Sequence, residues 1–149
     1  MCGIGGKIEF KEENFIEKDF LLKINKFQKH RGPNASGIWI SKNKKIGLSH
    51  TRLSILDVSK KANQPFINTD YVLTFNGEIY NFKEIKIILE KKGYKFNTTN
   101  SDTEVLLFAY KEWKTDCLSY LRGMFAFAIW DNIDKRLWLV RDRVGIKPL

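Results

Sequence analysis

The residues best suited to covalent chemistry stand at the start of the chain, Met1-Cys2-Gly3-Ile4-Gly5-Gly6. An initiator Met followed by a small residue is normally removed, which would leave Cys2 as the N-terminal residue. A terminal cysteine carries a thiol and a free α-amine together. An ordinary α-amine loses its proton at about pH 7.7–8.0. It can therefore act as the base for its own sulfur, directly or through a water, as an N-terminal amine does for threonine nucleophiles. No histidine is then required, and neither His30 nor His50 lies in a Cys/His signature. Gly3, Gly5 and Gly6 let backbone approach a ligand closely. Against this stands the plain reading that Met-Cys at a chain start is chance, because a short motif alone is weak evidence.

A thiolate that attacks an amide needs pre-placed donors for the developing oxyanion. Asn76-Gly77 supplies two, a side-chain NH2 and a backbone N–H. Arg52 offers a planar fork that fits a carboxylate, and Asp102, with Glu78, can hold a cationic amine. Nucleophile, oxyanion donors, carboxylate clamp and amine clamp together describe a pocket for a free amino acid with a side-chain amide, glutamine or asparagine. Each piece also has an ordinary explanation. Arg52 fits a surface arginine, Asn76 a turn residue, Asp102 an acidic residue in a first helical turn, and His30-Arg31 a helix C-terminus. Cys117, in an apolar stretch, reads as an inert small hydrophobe.

These side chains must be positioned by elements with legible patterns. Residues 6–10 alternate weakly as a short strand. Phe20, Leu21, Ile24 and Phe27 recur at helical spacing within 17–29, predicting one apolar stripe. Gly32-Pro33 stops that helix. Strands follow at 37–41 and 46–50, the latter running into 51–56. Residues 71–75 form a β-rich run into Asn76-Gly77, the strongest short hairpin signal, so that rule predicts a type I′ turn with 78–80 as the return strand. Asn81 with Glu84, and Ser101 with Glu104, read as capping boxes for two further helices, the first ending at Gly93. Residues 125–130 and 136–140 form a hairpin. Its large-small alternation predicts Ala126 and Ala128 on a face packed against another layer. The whole reads as a layered α+β domain.

Composition bounds the function. The 149 residues suffice for one domain with a real core, and 43% hydrophobic content excludes a disordered chain. Cys2 and Cys117 make no disulfide framework. Charged residues interrupt the first twenty positions, so there is no signal-peptide core, and no stretch is long enough to span a membrane. These features predict a cytoplasmic protein without membrane attachment. The net charge of +9 is mostly lysine spread along the chain, which argues against a nucleic-acid footprint. A non-catalytic basic binding module is the alternative from another class.

Read in order, MCGIGG, HRGPNASG at 30–37, SHTRLSILD at 49–57, FNGEIYNF at 75–82, SDTEVLL at 101–107, GMFAFAIWD at 123–131 and RDRVGIKPL at 141–149 resemble the glutaminase domain of glutamine-hydrolysing asparagine synthetases. That domain is a class II glutamine amidotransferase of the N-terminal-nucleophile (Ntn) hydrolase fold. The resemblance implies a four-layer αββα sandwich. It makes Cys2 the nucleophile and Asn76 and Gly77 the oxyanion hole. Arg52, Leu53, Ser54, Ile55 and Leu56 would line the glutamine site, Arg52 gripping the α-carboxylate, while Glu78 and Asp102 hold the α-amine. The HRGP segment is expected to pack near the site. The glutaminase step implies no metal or cofactor. ATP and Mg²⁺ belong to a C-terminal synthetase domain or subunit, absent from this chain, that amidates aspartate; a sugar or other acceptor is the alternative. A homodimer is compatible with the family. Such domains normally continue beyond GIKPL, so residues 1–149 read as one domain cut short at its C-terminus.

Overall fold

The computed structural model describes residues 1–55 and 59–149. One antiparallel sheet contains β1 (Gly3–Ile8), β2 (Ala35–Ile40) and β3 (Ile46–Arg52), in the order β1-β3-β2. A second contains β4 (Phe66–Ile67), β5 (Tyr71–Ile79), β6 (Gly123–Asp131) and β7 (Arg136–Arg141), ordered as numbered. Helix α1 (Lys18–Phe27) covers the first sheet, and α2 (Phe82–Lys91) with α3 (Asp102–Trp113) covers the second. The sheets face each other, giving the αββα sandwich expected from the sequence.

Side-chain alternation along β5 divides the molecule into two interiors. Tyr71, Leu73 and Phe75 point toward the helices and join Leu106, Phe127 and Ile129 in the larger apolar cluster. Val72 points the other way and packs with Ala128 and Trp130 against Ile46 and Leu48 of the first sheet. Full burial of a Leu, Ile or Phe contributes about 1.5–3 kcal/mol, so the helix–sheet interior carries most of the stability. The layer between the sheets has the smaller apolar cluster, with Ala128 facing it as the alanine pattern predicts. It is also polar. Thr74 Oγ1 donates to Ser49 O at 3.0 Å, and His50 Nε2 lies 3.1 Å from Phe75 O. Burial drives the His50 pKa down to about 4, aided by the Arg52 charge and opposed by the Phe75 carbonyl. His50 is therefore a neutral cross-brace between the sheets at pH 7.

Several local expectations give way to tertiary pairing. Asn76-Gly77 is no turn, because β5 continues straight through it, paired with β6 from Tyr71↔Asp131 to Ile79↔Gly123. Gly77 is required by that neighbour: a Cβ there would collide with Met124 O and lie 2.7 Å from Phe125 Cα. The first strand begins at Gly3 rather than at 6. On α1 the predicted stripe is only half used, since Leu21 is buried whereas Phe27 is 80% exposed. Neither Asn81 nor Ser101 caps its helix through its side chain. Asn81 instead bonds Tyr120 O and Arg122 N, at 2.9 and 3.0 Å. The fully buried Glu104 accepts from Asn97 N, Thr98 N and Thr98 Oγ1, so it organises the loop leading into α3. Gly93, with φ +94°, does end the turn after α2.

Overpacking of a closed interior costs about 1–3 kcal/mol. Gly77→Ala should lower stability by this amount, read as a lower urea midpoint at unchanged slope.

Candidate active site

The site begins with strand register. β1 runs antiparallel to β3 with Gly3 opposite Thr51, so the next step outward brings Cys2 alongside Arg52 and Leu53. Leu53 N–H donates to Cys2 Sγ at 3.4 Å, and the thiol reaches Leu53 O at 3.7 Å. Arg31, in the HRGP segment, donates from Nε to Cys2 O at 3.1 Å. That segment sits tight against β3, because a Cβ on Gly32 would collide with the Thr51 carbonyl. Cys2 is thus held from three sides by a ladder, a backbone N–H and a guanidinium.

Across from it, strand parity places Asn76 and Glu78 on the same face of β5 as Val72 and Thr74, toward the first sheet. Asn76 is buried and makes no side-chain hydrogen bond among the described residues. Cys2, Arg52, Leu53, Ile55, Asn76, Gly77, Glu78 and Asp102 line one cavity of about 110 Å³. Ser54 is not part of its wall; its backbone N–H donates to Asn34 Oδ1 at 3.0 Å. Leu56 lies outside the described residues.

Arg52 and Asp102 are fixed by partners outside the cavity. Arg52 donates from Nη1 to Ser59 O at 2.8 Å and to Asn63 Oδ1 at 2.7 Å, which orients the guanidinium. Asp102 starts α3 and accepts from Ile79 N at 3.1 Å, tying the helix N-terminus to the end of β5. Burial pushes its carboxyl up to about 6; the Ile79 N–H opposes the shift and the nearby Glu78 charge adds to it. Asp102 is therefore a carboxylate at pH 7 that is readily neutralised just below it. A cation at this spot would restore the charge.

Residues that the sequence did not single out complete the wall. Gln64 is buried, accepts from Phe75 N at 2.7 Å through Oε1, and donates to Thr103 Oγ1 at 3.3 Å. It thereby links the loop after β3 to the strand bearing Asn76 and the helix bearing Asp102. The adjoining Gln64-Pro65 peptide is cis. The Gln-Pro pair was the one visible signal of a special turn. Met124 and Lys147 also line the cavity. Lys147 belongs to a loop organised by Asp142, which accepts from Ile146 N, Lys147 N and Phe125 N at 2.8, 2.9 and 3.2 Å. Burial would raise the Asp142 pKa, but these N–H donors prevail and bring it down to about 2.

A model of the glutamine amidotransferase domain matches residues 1–149. The chain belongs to that family. Among curated relatives it is 45% identical over 153 residues to asparagine synthetase [glutamine-hydrolyzing] 1 of Bacillus subtilis, covering all of this chain and 24% of that protein. It is 39% identical over 152 residues to asparagine synthetase [glutamine-hydrolyzing] 3 of the same organism, covering 99% of this chain and 24% of the relative. This amidotransferase domain thus spans about a quarter of the length of these relatives. Its fold matches the structure of glutamine phosphoribosylpyrophosphate amidotransferase from B. subtilis with a TM-score of 0.77 at 22% identity, covering 99% of this chain and 38% of the other. The sandwich is accordingly the Ntn hydrolase fold. Among the described residues, no helix is long and apolar enough to cross a membrane.

The lowered pKa of Asp142 means that its carboxylate stabilises the fold above the unfolded value of 3.8, and that this contribution fades as pH falls toward about 2. Asp142→Asn should therefore lower the urea midpoint most above about pH 4, with the gap from wild type closing at lower pH.

Proposed function

We propose that this domain hydrolyses glutamine to glutamate and ammonia, with Cys2 as nucleophile once Met1 has been removed. The observation that carries the reading is the single cavity on which Cys2, Arg52, Asn76, Gly77, Glu78 and Asp102 converge. The Arg52 guanidinium grips the α-carboxylate of glutamine, and Asp102 with Glu78 holds the α-ammonium. This orients the side-chain amide toward Cys2.

The α-amine of Cys2 takes the thiol proton, and Sγ adds to the amide carbon. The carbonyl electrons move onto oxygen, which accepts from the Asn76 side-chain NH2 and the Gly77 N–H. Such donors act with little reorganisation in a water-poor site. Collapse of the tetrahedral adduct breaks the C–N bond, and the α-ammonium delivers its proton to the departing nitrogen as ammonia. A γ-glutamyl thioester remains. Water, deprotonated by the same amine, attacks it through a second oxyanion, and glutamate leaves as the sulfur recovers a proton.

This step uses no metal or cofactor. The names and lengths of the relatives support a further proposal, that the ammonia passes to a synthetase domain or subunit that amidates aspartate with ATP and Mg²⁺.

A glutamine-like electrophile should add its mass to chains that have lost Met1, with the label on Cys2. Cys2→Ala should take no label and lose at least roughly a thousandfold in glutaminase rate. Labelling of chains that retain Met1 would sink the mechanism. The pH dependence provides a second check. Protonation of Asp102, with its pKa at about 6, removes the charge that holds the ammonium. KM for glutamine should therefore rise as pH falls through 6, and Asp102→Asn should give a high KM without that limb.

A further inference from the structure

One edge of β5 is left without a strand where the site lies. β6 pairs with β5 along its whole length, but on the other side β4 reaches only Val72 and Leu73. Past Leu73 that edge carries backbone groups that need other partners if they are buried. Alternation sends the N–H and C=O of Phe75, Gly77 and Ile79 to it. The bonds on the far side agree. Phe125, opposite Gly77, donates its N–H to Asp142 Oδ2 at 3.2 Å, and its C=O accepts from Asp142 N at 2.7 Å. Gly77 and Phe125 therefore exchange no hydrogen bond, and the Gly77 N–H points away from β6.

Side chains replace the missing strand on either side of Gly77. Gln64 Oε1 accepts from Phe75 N at 2.7 Å, and His50 Nε2 meets Phe75 O at 3.1 Å. Asp102 Oδ2 accepts from Ile79 N at 3.1 Å. Gly77, between them, lines the cavity, and no side chain among the described residues accepts from its N–H. Both acceptors lead to the start of α3. Asp102 belongs to it, and Gln64 Nε2 donates to Thr103 Oγ1 at 3.3 Å. The helix thus grips β5 before and after the one N–H left open.

We propose that Gln64 is a positioning residue of the oxyanion hole, standing in for a strand so that the Gly77 N–H stays fixed and unpaired. A strand in the same place would take the Gly77 N–H and close the hole. A side chain with one acceptor holds Phe75 and leaves Gly77 free. Both ends of the Gln64 amide are spent on Phe75 and Thr103, so it acts through β5 rather than on glutamine. Such aim matters because a donor lowers the barrier only where it already points at the developing charge. The inference rests on the proposed reaction, in which Asn76 and Gly77 are the donors.

The test compares a step that develops an oxyanion with binding that does not. On mature chain, with Met1 loss verified by intact mass, kcat for glutamine is measured beside the inhibition constant of glutamate. Glutamate carries the same α-carboxylate and α-ammonium but no amide to react. Gln64→Met keeps the side-chain length and removes the acceptor. Its kcat should fall roughly 10- to 100-fold, with the inhibition constant of glutamate within about twofold of wild type. If Gln64→Met does not fold, Thr103→Val cuts the tie at its far end and makes the same comparison. That variant should lose at least about threefold in kcat, again with glutamate binding held. A merely structural role moves both quantities together or neither, and either result with an active wild type overturns this proposal alone. A mature wild type without glutamine turnover would overturn the glutaminase reading and this proposal with it.

Discussion

The ladder between β1 and β3 is the constraint on which the site depends. A residue next to the end of a chain has little covalent support, and a free terminus ordinarily frays. Here Gly3 is already locked opposite Thr51, so Cys2 inherits a fixed exit direction beside Arg52. The Leu53 N–H on Sγ and the Arg31 guanidinium on Cys2 O remove most of what freedom remains. Because β3 supplies both the ladder and Arg52, the positions of Cys2 and Arg52 are set by a single strand. Their spacing does not depend on how distant elements pack.

The second half of the site rests on β5, and the two halves meet only because the sheets stack. That layer departs from the usual economy of a protein interior. Beside the smaller cluster of Ile46, Leu48, Val72, Ala128 and Trp130 it holds the polar His50, Thr74 and Asn76, where the layer under α2 and α3 is built from large apolar residues. The division of labour has a physical reason. Hydrophobic area under α2 and α3 stabilises the fold, leaving the inter-sheet layer free to carry hydrogen-bonding groups whose burial is unfavourable. The neutral His50, bonded to the carbonyl of the residue before Asn76, is the brace that keeps the two halves in register.

Charge is handled in the same indirect way. Two charged groups of the cavity and one of its loops are held by backbone or by a residue outside it: Arg52 by Ser59 and Asn63, Asp102 by Ile79, and the Lys147 loop by Asp142. Groups fixed from behind present their charge to the cavity without having to reorganise, which is the condition for electrostatic catalysis. Gln64, bonded to both Phe75 and Thr103, ties the strand bearing Asn76 to the helix bearing Asp102.

Read from the chain alone, the order and approximate span of the strands and helices were legible, because apolar periodicity reports on local geometry. Cys2, Arg52, Asn76, Gly77, Glu78 and Asp102 could be named as candidates from the sequence, each with an ordinary explanation beside it, and the folded chain brings them to one cavity. What local rules misjudged was decided by partners remote in sequence. Asn-Gly is a turn signal only while no strand is available to pair with it, and β6 supplies that strand. Asn81 and Ser101 have the right types for caps, but Asn81 spends its side chain on Tyr120 and Arg122, and Glu104 spends its own on residues 97 and 98. Asn63 carries no periodic or motif signal, and neither the Gln64-Pro65 pair nor the RDRVGIKPL run that contains Lys147 says what those side chains touch. Their importance comes from which groups the folded chain brings within hydrogen-bonding reach, and proximity across tens of residues is a property that only tertiary packing creates.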